Sequence, residues 1–248
     1  HRKHASMWAC PKAVQAKGGA AVAGMLVEKE IKYLHDSLAE PKRPFIAILG
    51  GAKVSDKIKL ISTLLDKVDM ILVGGRMAYT LLKAQGRMTG DSFIEEDQVE
   101  IMKALLAKAG DKIKLPIDNI MATDFGSDEG IETHGKGIPI GMLGLDIGPM
   151  AAAEYADIVS NAGTVVWNGP MGVFEREAYA AGTRAVAQAM AEATAKGGVT
   201  VIGGGDSATA IIQFGLADQV THVSTGGGAS LTYLEGKPMP PIDVLDVE

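Results

Sequence analysis

The chain has 248 residues, 47% hydrophobic and 22% charged, which suits one large α/β domain, or one domain with additions, that buries a substantial core. Its formal net charge of −6 and pI near 5.4 supply no global field for nucleic acid or an anionic membrane, so any anion site has to be built locally. A single cysteine, Cys10, excludes an intrachain disulfide and fits a reducing compartment, and no run of about 18 apolar residues is present to span a bilayer.

The opening H-R-K-H has no initiating Met and no secretory pattern, and reads as a chain that begins partway through a longer protein. Between about Ala20 and Ala39, Val22, Met25, Leu26, Ile31, Leu34 and Leu38 recur at helical spacing with charged residues between them, and Pro41 and Pro44 end that helix. Strand-like runs then follow at 45–49, 70–73, 164–167, 199–202 and 220–224. Helical patterns at 56–67, 77–85, 97–109, 149–160, 180–196 and 206–213 separate most of them. Nearly continuous apolar strands alternating with helices predict a Rossmann-like, three-layer α/β/α domain with a mainly parallel central sheet and right-handed crossovers. The stretch from Lys112 to Gly144 is less regular and is expected to hold extra short strands. The expected division is an entering segment with a helix over 1–39, the main domain over 40–236 and a proline-broken strap over 237–248.

Three of the strands empty into glycine before a helical pattern: Gly50-Gly51-Ala52-Lys53, Gly74-Gly75-Arg76 and Gly203-Gly204-Gly205-Asp206. A fourth run, Gly226-Gly227-Gly228, follows H-V-S-T. In an open parallel sheet such turns gather at the carboxyl ends of the strands, and each helix start offers free N–H groups and about half a positive charge to an anion. One such turn can serve backbone geometry alone; four in one chain point to a phosphate site.

The P-loop lysine is missing from G-G-G-D-S, so its charge has to come from another turn. Lys53 is expected at the start of the helix carrying V-S-D-K-I, with Lys57 four residues on along the same face. Two cations there oppose the helix dipole unless a polyphosphate is bound; otherwise they are solvated and offset by Asp56. Asp206 and Ser207 suit a helix N-cap, and Asp206 equally suits Mg2+, which takes one or two carboxylates plus phosphate oxygens. Asp124-Phe125-Gly126 spells the metal-binding triplet of protein kinases, but the accompanying kinase motifs are absent and coincidence explains it better. The five histidines have no zinc spacing.

Taken together, H-R-K-H-A-S, R-P-F-I-A-I-L-G-G-A-K-V-S-D-K-I, M-G-L-D-I-G-P, V-V-W-N-G-P-M-G-V-F-E, I-G-G-G-D-S-A and H-V-S-T-G-G-G-A-S-L resemble the carboxyl-terminal, nucleotide-binding half of the phosphoglycerate kinase family. The resemblance implies reversible phosphoryl transfer between 1,3-bisphosphoglycerate and Mg-ADP, giving 3-phosphoglycerate and ATP, in a cytoplasmic monomer. It places Lys53 and Lys57 at the phosphates, Asp206 at Mg2+, and Gly204, Gly205 and Ser207 around the nucleotide phosphates. Asn168 and Pro170 belong to the same nucleotide site, Glu175 falls at the ribose, and Gly51, Ala52, Gly74, Gly75, Gly144 and Leu145 line the adenine slot. Gly227 and Gly228 would aim N–H groups at the phosphoryl in transfer, and Arg2 matches a triose-substrate residue. The helix over 20–38 becomes the interdomain helix. The family's amino-terminal half has no counterpart here, so the chain is expected to bind Mg-nucleotide without turning over phosphoglycerate alone. Arg76 stands where the family often has a small residue.

Two other readings share this sequence. A dinucleotide-dependent dehydrogenase has the same fold class, but no turn supplies G-x-G-x-x-G with an acidic residue about 20 positions on. A non-catalytic nucleotide-binding module would keep the glycine turns without the chemistry.

Overall fold

The computed structural model describes residues 1–133 and 137–246, with side chains except those of 35–39. The side chain of Leu38 in the helical pattern, part of the stretch before Gly144 and the last two residues of the strap therefore lie outside the described portion. After a π-helical turn at Ala5–Ala9 come α1 (Cys10–Gln15), α2 (Met25–Ala39), β1 (Phe45–Leu49), α3 (Ile58–Leu65), β2 (Met70–Val73), α4 (Met77–Ala84), β3 (Met88–Thr89) and α5 (Val99–Ala109). The less regular stretch yields β4 (Ile113–Lys114), β5 (Asn119–Ala122), β6 (Ile131–Glu132), β7 (Gly137–Ile138) and β8 (Leu143–Ile147). The chain continues through α6 (Pro149–Ser160), β9 (Thr164–Asn168), α7 (Ala181–Ala195), β10 (Val199–Gly203), α8 (Gly205–Gln213), β11 (His222–Val223), α9 (Gly228–Leu234) and α10 (Pro240–Asp243).

The central sheet has six strands in the order β11-β10-β9-β1-β2-β4, and every pairing in it is parallel. The order reverses between β1 and β9, where the crevice at the carboxyl ends of an open sheet receives ligands. β1 is buried throughout and serves both layers: Phe45, Ala47 and Leu49 join the core under α3, α4 and α5, while Ile46 and Ile48 join the one under α6, α7 and α8. Removing such strands from water supplies about 25 cal/mol per Å² of apolar surface, which is why uninterrupted β-branched runs settle at the centre. A smaller antiparallel sheet, β6-β5-β8, packs Ala122 and Leu145 on Tyr179 beside this crevice.

The structure differs from the sequence expectations in local ways. The helix expected over 56–67 begins only at Ile58, and residues 54–57 form a turn closed by Lys57 N–H on the Val54 carbonyl at 2.9 Å. Val22 falls before α2, and Val22, Met25 and Leu26 are exposed, so the amino-terminal apolar face of that pattern has no partner among the described residues. Cys10, an ordinary semi-buried thiol by type, is exposed. The strap is docked: Gln15 donates to the Val244 carbonyl at 2.8 Å, and Asp246 exchanges backbone and side-chain hydrogen bonds with Ala21 at 2.7 Å. No helix of the described residues is long and apolar enough to cross a membrane.

Candidate nucleotide-binding site

At the order reversal the turns after β1, β2 and β9 are joined through backbone. Gly50 N–H donates to the Asn168 carbonyl at 2.9 Å, Gly51 N–H to Pro170 at 3.2 Å, and Gly75 N–H to Met171 at 2.8 Å. Side chains would prevent this approach. A Cβ on Gly75, whose φ is +66°, would fall 2.5 Å from the Gly51 nitrogen, and one on Gly50 would strike the carbonyls of Gly169 and Pro170. The glycines thus let three strand ends close on one floor.

Two cavities open on that floor and share Gly51, Ala52 and Asp206. The larger, of about 400 Å³, is walled by Tyr79, Phe93, Phe125, Leu143, Leu145 and Val173, with Arg76, Asp91 and Glu175 at polar positions. Its volume and largely apolar wall suit a flat heterocycle. Gly144 is what makes room: a Cβ there would enter the ring of Tyr79, whose phenol burial and Asp146 keep protonated. Beneath, the buried Asp146 carboxyl is pushed up to about 7 by desolvation, against hydrogen bonds from Gly182 and Ile147 N–H at 2.7 and 2.9 Å.

The smaller cavity, of about 150 Å³, is polar and is lined by Lys53, Asp56, Lys57, Asn168, Gly204, Gly205, Asp206 and Ser207. Gly204, with φ +92°, precedes the first residue of α8, so the free N–H groups and positive end of that helix face the space. Lys57 is buried and donates to the Asn168 carbonyl at 3.0 Å and to its Oδ1, while Asn168 Nδ2 donates to the Gly203 carbonyl at 2.8 Å. Burial pushes the Lys57 ammonium down to about 8, with Asp206 and Asp56 acting in the opposite direction.

Three site expectations need correction. Lys53 does not stand on the first turn of a helix: it is exposed in the irregular loop after β1, and Lys57 occupies the position just before α3, so the loop rather than a helical face brings the two lysines together. Asp206 is no N-cap, since Gly204 holds that position and no side chain caps α8; the Asp206 carboxylate is exposed between the two cavities. The Ser207 hydroxyl is buried and accepts from Gly169 N–H at 2.6 Å, which fixes the turn after β9.

The comparisons with known proteins follow the same outline. The family described as Phosphoglycerate kinase matches residues 1–237. The chain belongs to the phosphoglycerate kinase family. A phosphoglycerate kinase of Lactobacillus gasseri is 54% identical over 242 residues, which are 98% of this chain and 60% of that protein. One of Latilactobacillus sakei is 51% identical, over 98% of this chain and 59% of its own. The solved phosphoglycerate kinase of Coxiella burnetii superposes with TM-score 0.90 at 40% identity, covering 98% of this chain and 62% of that one. That of Pyrococcus horikoshii gives 0.86 at 32% identity, covering 99% and 61%. The chain therefore spans about three fifths of the length of these phosphoglycerate kinases.

Of the residues selected from sequence, Gly51, Ala52, Gly75, Gly144, Leu145, Pro170, Glu175 and Asp206 line the larger cavity. Lys53, Lys57, Asn168, Gly204, Gly205 and Ser207 line the smaller one. Gly74 packs against Met171 beneath the floor, and Gly227, Gly228 and Arg2 line neither cavity; Gly228 starts α9 with His1 beside it. Sequence reading missed the aromatic wall of the larger cavity, Tyr79, Phe93 and Phe125. Phe125 carried a signal, a large apolar residue within the polar stretch T-D-F-G-S-D-E, whereas nothing in its spacing tied Phe93 to β8.

Proposed function

We propose that this chain binds the Mg2+ complex of ADP or ATP, with the base in the larger cavity and the phosphates in the smaller, as the nucleotide half of a phosphoglycerate kinase. In the complete protein the reaction is reversible phosphoryl transfer between 1,3-bisphosphoglycerate and ADP, giving 3-phosphoglycerate and ATP in glycolysis. The observation that carries the reading is the pair of adjoining cavities at the sheet's order reversal, one aromatic and the other holding two lysines and a helix start.

The residues fit this chemistry. Transfer between an acyl phosphate and a phosphate oxygen needs no general base, because the departing carboxylate carries no proton; it needs alignment and stabilisation of charge. Lys53 and Lys57 supply positive charge from the loop after β1, and the α8 N–H groups supply donors from the opposite wall. Asp206 fits Mg2+: an exposed carboxylate beside a phosphate-sized space supplies the one protein ligand that the ion accepts when phosphate oxygens and water fill the rest. That ion, when bound, neutralises charge on the phosphates. Glu175 stands at the outer edge of the larger cavity, where a ribose would emerge. Cytoplasmic location, a monomeric state and an interdomain role for α2 belong to the same proposal.

Calorimetric titration with ADP, ATP and NAD, with and without Mg2+, tests it. Mg2+-dependent binding of ADP and ATP and none of NAD is expected. Asp206→Asn should lower the Mg2+-dependent affinity at least tenfold and leave the fold intact, because no cap is lost. Preference for NAD, or an Asp206→Asn variant with unchanged Mg2+ dependence, overturns the assignment.

A further inference from the structure

Lys53 has no helix beneath it, so something else must hold its backbone over the phosphate end. The loop from Ala52 to Ser55 is gripped on both sides of this lysine, by Arg76 of the base-cavity wall and by Glu95, which stands just beyond that wall. Ahead of it, Arg76 Nε donates to the Ala52 carbonyl at 3.2 Å, with the guanidinium 4.2 Å above the Phe93 ring. Behind it, the Glu95 carboxylate accepts from Val54 N–H at 2.6 Å and Ser55 N–H at 3.3 Å through Oε2, and from the Ser55 hydroxyl through Oε1. Glu95 is itself anchored, because its N–H donates to Oγ1 of Thr80, a buried residue of α4. It follows Phe93 by two residues on the same short segment.

We infer that Glu95 is a positioning residue that sets the Lys53 backbone for the nucleotide phosphates and links that lysine to the wall of the base cavity. The inference rests on the nucleotide reading proposed above. A carboxylate is an odd choice beside a polyanion site if electrostatics alone mattered, since its charge opposes phosphate. Its use is geometric: one rigid acceptor takes two successive N–H groups and a hydroxyl, which neither a glycine turn nor water holds as firmly. Removing a mere spectator carboxylate there would strengthen ADP binding; removing a positioning one weakens it. The two roles predict opposite signs.

The experiment is a double-mutant cycle read by calorimetry with ADP and with adenosine, which has the base and no phosphate. Glu95→Ala is expected to weaken ADP about tenfold and leave adenosine within about twofold. In a Lys53→Ala background the same change should have no further effect on ADP, since the residue through which Glu95 acts is gone. Glu95→Gln, whose carbonyl still accepts from Val54, should recover most of the affinity. Should Glu95→Ala fail to fold, Ser55→Ala removes one arm only and carries the same cycle, with a loss of about threefold. Tighter ADP binding, equal loss for ADP and adenosine, or a loss that persists without Lys53 overturns the inference. Failure of the unmutated chain to bind ADP would instead overturn the nucleotide reading, and this one with it.

Discussion

Lys57 couples the chemistry of the site to pH. Its ammonium is desolvated before any phosphate arrives, so its pKa in the folded chain lies near 8 against 10.5 in the unfolded chain. A lysine pKa lowered by folding is a cost to stability that is fully present below pH 8. That cost is relieved as pH rises from about 8 to 10.5, where the unfolded chain holds the extra proton. A bound polyphosphate restores the charged form, so ADP binding should take up a proton above pH 8 and weaken as pH rises, by up to about tenfold per unit. Calorimetry at pH 8.5 in two buffers of different ionisation enthalpy reads that proton directly. Lys57→Met should abolish the uptake, and identical proton uptake in that variant would assign the effect to another group.

At the scale of elements, α2 meets the domain through Leu34, buried in the core, and through a polar tether at Glu30. Glu30 accepts from Thr225 N–H at 2.6 Å and from the Ser224 and Thr225 hydroxyls at 2.7 and 2.9 Å, and lies 3.2 Å from His222 Nε2, with Tyr33 stacked on that ring. Burial raises its pKa, but these partners more than reverse the effect and leave it below the ordinary glutamate value. The tether is therefore present above the usual glutamate range and is lost as pH falls through the lowered value. Glu30→Ala should cost about 1–3 kcal/mol in thermal or denaturant unfolding at pH 7. The difference from the unmutated chain should shrink towards pH 3; a difference that stays constant with pH would show that packing, not the carboxylate, anchors the helix.

For the whole molecule, the decisive fact is coverage. The chain spans about three fifths of its relatives, and Arg2, which only the resemblance puts at the triose substrate, lines neither cavity. Phosphoryl transfer requires donor and acceptor held in line, so binding of one partner alone gives no reaction. In a coupled assay with 3-phosphoglycerate and ATP, this chain by itself should show no turnover above background while still binding ADP. Ordinary turnover would mean that the acceptor site lies within these 248 residues.

Much of this was legible in the sequence. The apolar runs of β1, β2, β9 and β10 fixed the layers, because strands buried on both faces are predominantly apolar, and the glycine turns marked the edge of the sheet on which the two cavities open. Spacing did not reveal that Lys53 lies in a loop held by Glu95, since hydrogen bonds across 40 residues leave no periodic trace. Nor did it reveal the aromatic wall, where Tyr79 of α4, Phe93 and Phe125 meet around Gly144 of β8. Periodicity reports which face of an element is buried, a property of the local chain. Which loops converge over a crevice depends on the order in which the strands pair, and the tertiary structure alone decided that.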